Sequence, residues 1–175
     1  INMFHKYGVC KGDVFEKFIV KYIEEKTQNR NYTFKELYDF NKIELVIVVT
    51  DLKHNTPIYL SYHTYPDMPI CLAVRASMSI PYLFQPVNYE NMMLVDGGVL
   101  DNYPIHVFDG NVPGDTYAEH NLTSMNPHII GCRLATLDEE QSAENGNSIN
   151  GLRDLTATLL NIVYNVQEKQ HIRPG

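Results

Sequence analysis

Asp96 has the surroundings best suited to chemistry in this sequence. It follows an apolar run at residues 92–95, and Gly97 and Gly98 come directly after it. A strand that ends on Asp-Gly-Gly presents one carboxylate at the edge of a sheet, while glycines allow positive φ and close approach of another chain or a substrate. Such a carboxylate is placed for chemistry. The alternative is a strand-ending turn in which the Asp side chain caps nearby backbone N–H groups.

Other motifs surround Asp96 in a definite order. Residues 73–87 read Ala-Val-Arg-Ala-Ser-Met-Ser-Ile-Pro-Tyr-Leu-Phe-Gln-Pro-Val, a short predicted hairpin follows, and Asn102-Tyr103-Pro104 comes soon after the glycines. Earlier segments at residues 8–18, 33–37 and 45–52 fit the same pattern. In this order and at these spacings, residues 8–108 resemble the C-terminal half of the catalytic domain of the patatin-like phospholipases.

The resemblance implies a fold, an activity and a set of site residues. It implies a layered α/β/α fold with a mostly parallel central sheet, and hydrolysis of lipid acyl esters by a Ser-Asp dyad. Asp96 matches the aspartate of that dyad. Gly97 and Gly98 complete the Asp-Gly-Gly motif, while Asn102 and Pro104 match an Asn-x-Pro element that we expect to fix the loop holding Asp96. The resemblance implies a lipid or acyl-ester substrate, for which a membrane surface is one source, and implies no cofactor.

The serine of the dyad has no match in the sequence. None of the 175 residues lies in a Gly-x-Ser-x-Gly motif or a Gly-x-Gly-x-x-Gly loop. In the family both motifs lie before the region that corresponds to Gly8. We therefore expect residues 1–175 to be the C-terminal part of one catalytic domain, inactive by itself. A non-catalytic lipid-binding or scaffold module that lost the serine is the alternative.

Other side chains are weaker candidates for a nucleophile or base. Gly8-Val9-Cys10-Lys11-Gly12 has the spacing of a nucleophile elbow, but the segment before it is too short and polar for a buried central strand. Ser77 lacks flanking glycines and is interpreted as a helix-end residue, and Asp101 as a turn or cap residue. His106 leaves open a third interpretation, an ordinary Ser-His-Asp hydrolase.

Composition and charge limit the remaining function classes. The chain is 44% hydrophobic, enough for one domain with a core, and its net charge of −7 argues against a nucleic-acid partner. Its seven histidines show no His-x-x-x-His spacing, so we expect no metal site. Three widely spaced cysteines indicate reduced thiols, and no apolar run reaches the roughly 18 residues of a membrane span. We expect a cytoplasmic protein or one peripheral to membranes.

Alternating helical and strand patterns support the α/β class. Helices are predicted at residues 13–26 and 33–40, opened by capping boxes of Asp13 with Glu16 and of Thr33 with Glu36. A further helix is predicted at residues 69–77 and a last one at 151–170. Residues 44–50 and 128–134 have the composition of buried strands, the first of them parallel. Residues 137–150 are polar and are predicted to form a mobile surface loop.

Overall fold

The elements that position Asp96 all lie between residues 7 and 109. The computed structural model describes residues 7–109, 128–132, 151, 158, 159 and 162. Its elements, in chain order, are β1 (Gly8–Cys10), α1 (Asp13–Thr27), α2 (Phe34–Asn41), β2 (Ile47–Asp51), β3 (Thr56–Leu60), α3 (Ile70–Ser77), β4 (Tyr82–Phe84), β5 (Val87–Tyr89) and β6 (Met92–Asp96), followed by two 3₁₀ turns, Gly97–Val99 and Ile105–Phe108.

The central sheet has four strands in the order β3-β2-β6-β5. Every neighbouring pair in it is antiparallel. Residues 52–55 join β2 to β3 and residues 90–91 join β5 to β6, and links this short can only connect antiparallel neighbours. The α/β class is confirmed. The prediction that residues 44–50 form a parallel strand is wrong, because both neighbours of β2 run antiparallel to it.

Within the described part of the chain, parallel pairing occurs between β1 and β4. Gly8 lies opposite Tyr82, and Cys10 opposite Phe84. The two strands form a separate two-stranded sheet. This small sheet lies at the start of α1 and at the turn that follows α3, so it joins the N-terminal helix to the segment leading toward Asp96.

The core lies between α3 and one face of the four-stranded sheet. Val49 of β2 and Leu94 of β6 are completely buried there, as are Ala73 and Ala76 of α3. Alanines on the inner face of a helix let its backbone approach the sheet closely, and the fully buried Met68 fills the space beside them. The packing holds the strand that ends on Asp96 against a rigid layer.

The two predicted capping boxes have different outcomes. At the start of α2, Thr33 Oγ1 accepts a hydrogen bond from the Glu36 amide at 3.2 Å, and Glu36 Oε2 accepts one from the Thr33 amide at 2.8 Å, so this box is confirmed. The box predicted for Asp13 and Glu16 is wrong. Gly12 takes the N-cap position of α1 in a left-handed conformation, and a glycine has no side chain with which to cap.

Thr33→Ala is expected to lower the free energy of unfolding by about 1 kcal/mol, because it leaves the Glu36 amide without its side-chain acceptor. Urea denaturation followed by circular dichroism measures the change. Lys35→Ala, at an exposed position in the same helix, is the control and should leave the midpoint nearly unchanged. Equal midpoints for the two variants would show that the box contributes nothing to stability.

Three predicted segments lie partly or wholly beyond the described residues. The loop predicted at residues 137–150 lies outside them. Of the helix predicted at 151–170, residues 158, 159 and 162 are helical and most of the others lie outside. The buried strand predicted at 128–134 is wrong for residues 128–132, which form no strand and are mostly exposed, with Ile130 91% exposed. No helix among the described residues is long and apolar enough to cross a membrane.

Candidate active site

Asp96 is the last residue of β6 and the cap of the 3₁₀ turn that follows. Its amide donates to the Ser79 carbonyl at 3.1 Å, and its Oδ1 accepts a hydrogen bond from the Gly98 amide at 2.8 Å. The capping role considered from the sequence is therefore present. It occupies one of the two carboxylate oxygens, and no hydrogen bond from the described residues reaches Oδ2. One oxygen orients the group, which leaves the other for a proton.

A comparison of two carboxylates shows how the environment of Asp96 differs from that of a structural acid. Burial raises the pKa of Asp96, and the single hydrogen bond from Gly98 only partly opposes this. Asp51 is completely buried, but it accepts hydrogen bonds from His54 and from the Lys53 and Met93 amides, which together outweigh burial and lower its pKa. A partly buried carboxylate with a raised pKa, such as Asp96, is the kind that serves as a general base.

Gly97 lies against the backbone of β2. A Cβ atom added to it would lie 2.5 Å from the Val48 carbonyl oxygen and 2.7 Å from the Val48 carbonyl carbon. Of the two properties that glycine offers here, Gly97 does not use positive φ, since its backbone lies outside the left-handed region. Close approach of two backbone segments is therefore what requires glycine here. The contact fixes where the chain turns immediately after Asp96.

An open cleft of about 320 Å³ lies beside Asp96. All five residues singled out from the sequence line it. These are Asp96, Gly97, Gly98, Asn102 and Pro104. The other lining residues come from residues 46–48, from Ser77 and from Asp101. A volume near 300 Å³ is at the lower end of the range of small-molecule sites, enough for the polar part of an ester substrate.

A buried polar cluster anchors the far end of the Asp96 loop. Asp101 is 4% exposed, its amide donates to the Gly97 carbonyl at 2.8 Å, and its Oδ2 accepts a hydrogen bond from the Tyr59 hydroxyl at 2.7 Å. His106 Nε2 lies 3.3 Å from the Tyr59 hydroxyl and 3.6 Å from Asp101 Oδ2. Burial raises the pKa of Tyr59 well above its usual range, with Asp101 adding to the effect, so Tyr59 stays a neutral donor.

The cluster changes the interpretation of two residues. Asp101 is more than the turn residue that the sequence suggested, because its carboxylate ties the loop to β3 through Tyr59. Sequence analysis missed Tyr59, because no local motif marks it as a partner of Asp101, whereas its side chain is 8% exposed and bonds to that carboxylate. His106, which the sequence could not place, lies beside the Asp101 carboxylate. An Asp-His pair therefore exists in the fold.

Two side chains weighed as nucleophiles have different positions. Ser77 is the last residue of α3 and lines the cleft with Asp96, but a nucleophile elbow places its serine between a strand and the start of a helix. Cys10 is exposed on β1 and does not line the cleft. Among the residues that the structure describes, no group of three His, Cys, Asp or Glu side chains is arranged to hold a metal ion.

Comparison with known proteins identifies a family whose sequence model matches this chain. A family model described as patatin-like phospholipase matches residues 2–109, a range that contains the whole cleft. The matched range covers more than half of the chain and includes every residue that the sequence resemblance singled out.

Individual relatives come from viruses and bacteria. An uncharacterized protein of Acanthamoeba polyphaga mimivirus is 35% identical over 69% of this chain and 40% of its own length. An uncharacterized protein of Bacillus subtilis is 29% identical over 98% of this chain and 55% of its own length. A probable lipid hydrolase of Invertebrate iridescent virus 6 is 31% identical over 57% of this chain and 34% of its own length. The chain thus spans about half, or less, of each of these relatives.

Proposed function

This chain belongs to the patatin-like phospholipase family, and from that premise we propose that the complete protein hydrolyses lipid acyl esters with Asp96 as the base of a Ser-Asp dyad. Lipid hydrolysis is supported at the level of the family. One observation carries the finer assignment to Asp96. Its carboxylate opens onto the cleft with one oxygen held by Gly98 and a pKa raised by burial.

The proposed reaction is acyl transfer through a serine ester. The serine oxygen bonds to the ester carbonyl carbon while its proton passes to Asp96, and the leaving alcohol then takes that proton as the ester bond breaks. Water then gives a proton to Asp96 and bonds to the acyl carbon; as the bond from that carbon to the serine oxygen breaks, the serine takes the proton back from Asp96 and the carboxylic acid is released. A positioned base of this kind contributes about 10²- to 10⁴-fold to the rate. The Gly98 amide holds Oδ1, so Oδ2 is the oxygen assigned to the proton.

The serine and the oxyanion hole are proposed to come from residues outside the 175 printed here. The sequence contains no Gly-x-Ser-x-Gly motif and no glycine-rich loop of the family type. The proposed substrate class is an acyl ester of a lipid, approached at a membrane surface. A cleft of about 320 Å³ fits the ester group and its immediate neighbours, so the acyl chain would extend beyond the described lining.

The 175-residue chain alone is expected to show no hydrolysis of short p-nitrophenyl esters above the buffer rate, because a base without a nucleophile opens no covalent route. A spectrophotometric assay at neutral pH measures it. Cys10→Ala and Ser77→Ala are made in parallel, since the first was a candidate nucleophile and the second lines the cleft. Turnover abolished by either substitution would place the nucleophile inside this chain and contradict the proposed dyad.

A lipid-binding or scaffold module without catalysis is the second candidate, and the missing serine motif is the observation that favours it. The two functions are separated by the complete protein. We expect the complete protein to hydrolyse a dispersed phospholipid and to react with a fluorophosphonate probe at one serine. Vesicle binding with neither hydrolysis nor labelling would support the module and reject the enzyme.

A further inference from the structure

A buried arginine is connected to the backbone of Asp96 through one intervening residue. Arg75 is on α3 and is 3% exposed. Its guanidinium donates hydrogen bonds to the Ser79 hydroxyl, to the Lys11 carbonyl and to the Gln85 carbonyl, the last at 3.2 Å. These acceptors belong to three separate segments, which are the link from β1 to α1, the turn after α3 and the link from β4 to β5. One side chain therefore joins all three.

The segment at Gly12 is shaped around this side chain. Gly12 has a φ of +81°, and a Cβ atom added there would collide with the Arg75 guanidinium. On another side, the guanidinium carbon lies 5.8 Å from the centre of the Phe84 ring. Both a left-handed glycine and an aromatic face thus accommodate the planar group. A glycine at this position serves the arginine as well as the start of the helix.

Burying a guanidinium is costly. Within the described residues no carboxylate lies at ion-pair distance from Arg75, and burial lowers its pKa, which the charges of Glu16 and Asp13 oppose only in part. Its hydrogen-bond acceptors are a hydroxyl and two carbonyls, which satisfy donors but carry no countercharge. An apolar side chain would fill the same place without this cost. The arginine therefore supplies something that packing alone does not, which is a rigid fork that reaches several acceptors at once.

The link from Arg75 to Asp96 runs through Ser79. The Ser79 side chain is completely buried, and its hydroxyl accepts from the Arg75 guanidinium and donates to the Arg75 carbonyl at 2.8 Å. The Ser79 carbonyl in turn accepts the Asp96 amide at 3.1 Å. Ser79 is thus held on both sides of its hydroxyl, and the same residue holds the end of β6.

We propose that Arg75 is a positioning residue for the Asp96 carboxylate, acting by locking Ser79 and, through the Ser79 carbonyl, the backbone of Asp96. The inference rests on the proposed role of Asp96 as a base and adds the residue that sets its geometry. Arg75 itself touches no reacting atom. Lysine would keep the charge but lose the planar fork, so Arg75→Lys separates the geometry from the charge.

The test follows the Asp96 amide directly. In Arg75→Lys, hydrogen exchange of the Asp96 amide is expected to accelerate about tenfold or more relative to that of the Leu52 amide, which bonds to the Met93 carbonyl in the same sheet. NMR on the complete protein gives both rates at once. Arg30→Lys, at an exposed arginine, is the matched control and should change neither rate.

A second variant guards against a simple failure to fold. Ser79→Ala removes the hydroxyl but leaves the Lys11 and Gln85 carbonyls to Arg75, and it should loosen the Asp96 amide selectively by a smaller factor. In the complete enzyme both variants should lower kcat while KM stays within about twofold, because a misplaced base affects the transition state more than binding.

The possible results distinguish failure of the positioning role from failure of the proposed function. Equal acceleration at Asp96 and Leu52, or none at Asp96 in a folded Arg75→Lys or Ser79→Ala chain, would overturn the positioning role. If the complete protein has no hydrolase activity even with Arg75 and Asp96 intact, the proposed function fails, while the exchange rates still decide whether Arg75 holds the Asp96 backbone. Selective loosening together with a drop in kcat supports both.

Discussion

Asp96→Asn in the complete protein is expected to lower kcat by about 10²-fold or more while the fold and substrate binding are retained. Asparagine has the shape of aspartate, and its side-chain oxygen can still accept the hydrogen bond from Gly98 that occupies Oδ1. Its amide nitrogen, however, cannot take a proton from a serine. The measurement is steady-state hydrolysis of a dispersed phospholipid, with circular dichroism as the check on folding.

Stability gives this prediction a second readout. Because burial raises the pKa of folded Asp96 above its unfolded value, the contribution of Asp96 to stability is greatest below the unfolded pKa and is lost as pH rises through the folded one. The ionised form of this side chain therefore opposes folding. Asn removes that charge and should leave the free energy of unfolding unchanged or higher. Asp39→Asn, at an exposed acid, is the control. Wild-type kcat in Asp96→Asn would reject the dyad.

Gly97→Ala is expected to reduce the free energy of unfolding by about 1–3 kcal/mol, the usual cost of overpacking. The added methyl group would lie 2.5 Å from the Val48 carbonyl oxygen, and a backbone atom in the middle of a sheet cannot rotate away as a side chain would. Relief requires the chain to shift immediately after Asp96. We therefore expect kcat of the complete protein to fall as well. Chemical denaturation and steady-state kinetics measure the two effects.

Gly151 offers the matched control for this substitution. Among the described residues, a Cβ atom added at Gly151 has no neighbour within 4 Å, so Gly151→Ala should leave stability and activity unchanged. If Gly97→Ala were as stable and as active as Gly151→Ala, close approach to Val48 would not be what the Asp-Gly-Gly motif requires. The proposed geometry of the site would then be wrong at Gly97, the residue directly after Asp96.

Local signals in the sequence were sufficient for the strand end at Asp96 and for the capping box at Thr33, because both depend on residues a few positions apart. These local signals were not sufficient to predict whether neighbouring strands run parallel or antiparallel. An apolar, β-branched run such as residues 44–50 fits a buried strand of either direction. The short link from β2 to β3 decides for antiparallel pairing on one side, whereas the antiparallel pairing of β2 with β6 joins residues far apart in the chain. The sequence indicated that Gly97 has a structural role, but it could not show that close approach to Val48 is what requires glycine there.

The contacts that hold the site were beyond sequence reasoning because they join distant residues. Tyr59 lies 42 positions before Asp101, and Arg75 lies 64 positions after Lys11. Nothing in the immediate neighbourhood of either residue marks it as a partner. The arginine was noted only as part of the motif at residues 73–87. The folded chain shows each of them anchoring a segment next to Asp96.

The pH dependence of kcat/KM in the complete protein tests the central claim most directly, since its acidic limb reports the pKa of the essential base in the free enzyme. NMR titration of the Asp96 carboxyl carbon in the same protein gives the pKa of that side chain independently. The account predicts that the two midpoints coincide and lie above 3.8, the ordinary value for aspartate. An acidic limb whose midpoint differs from that of Asp96, or one that persists unchanged in Asp96→Asn, would contradict it.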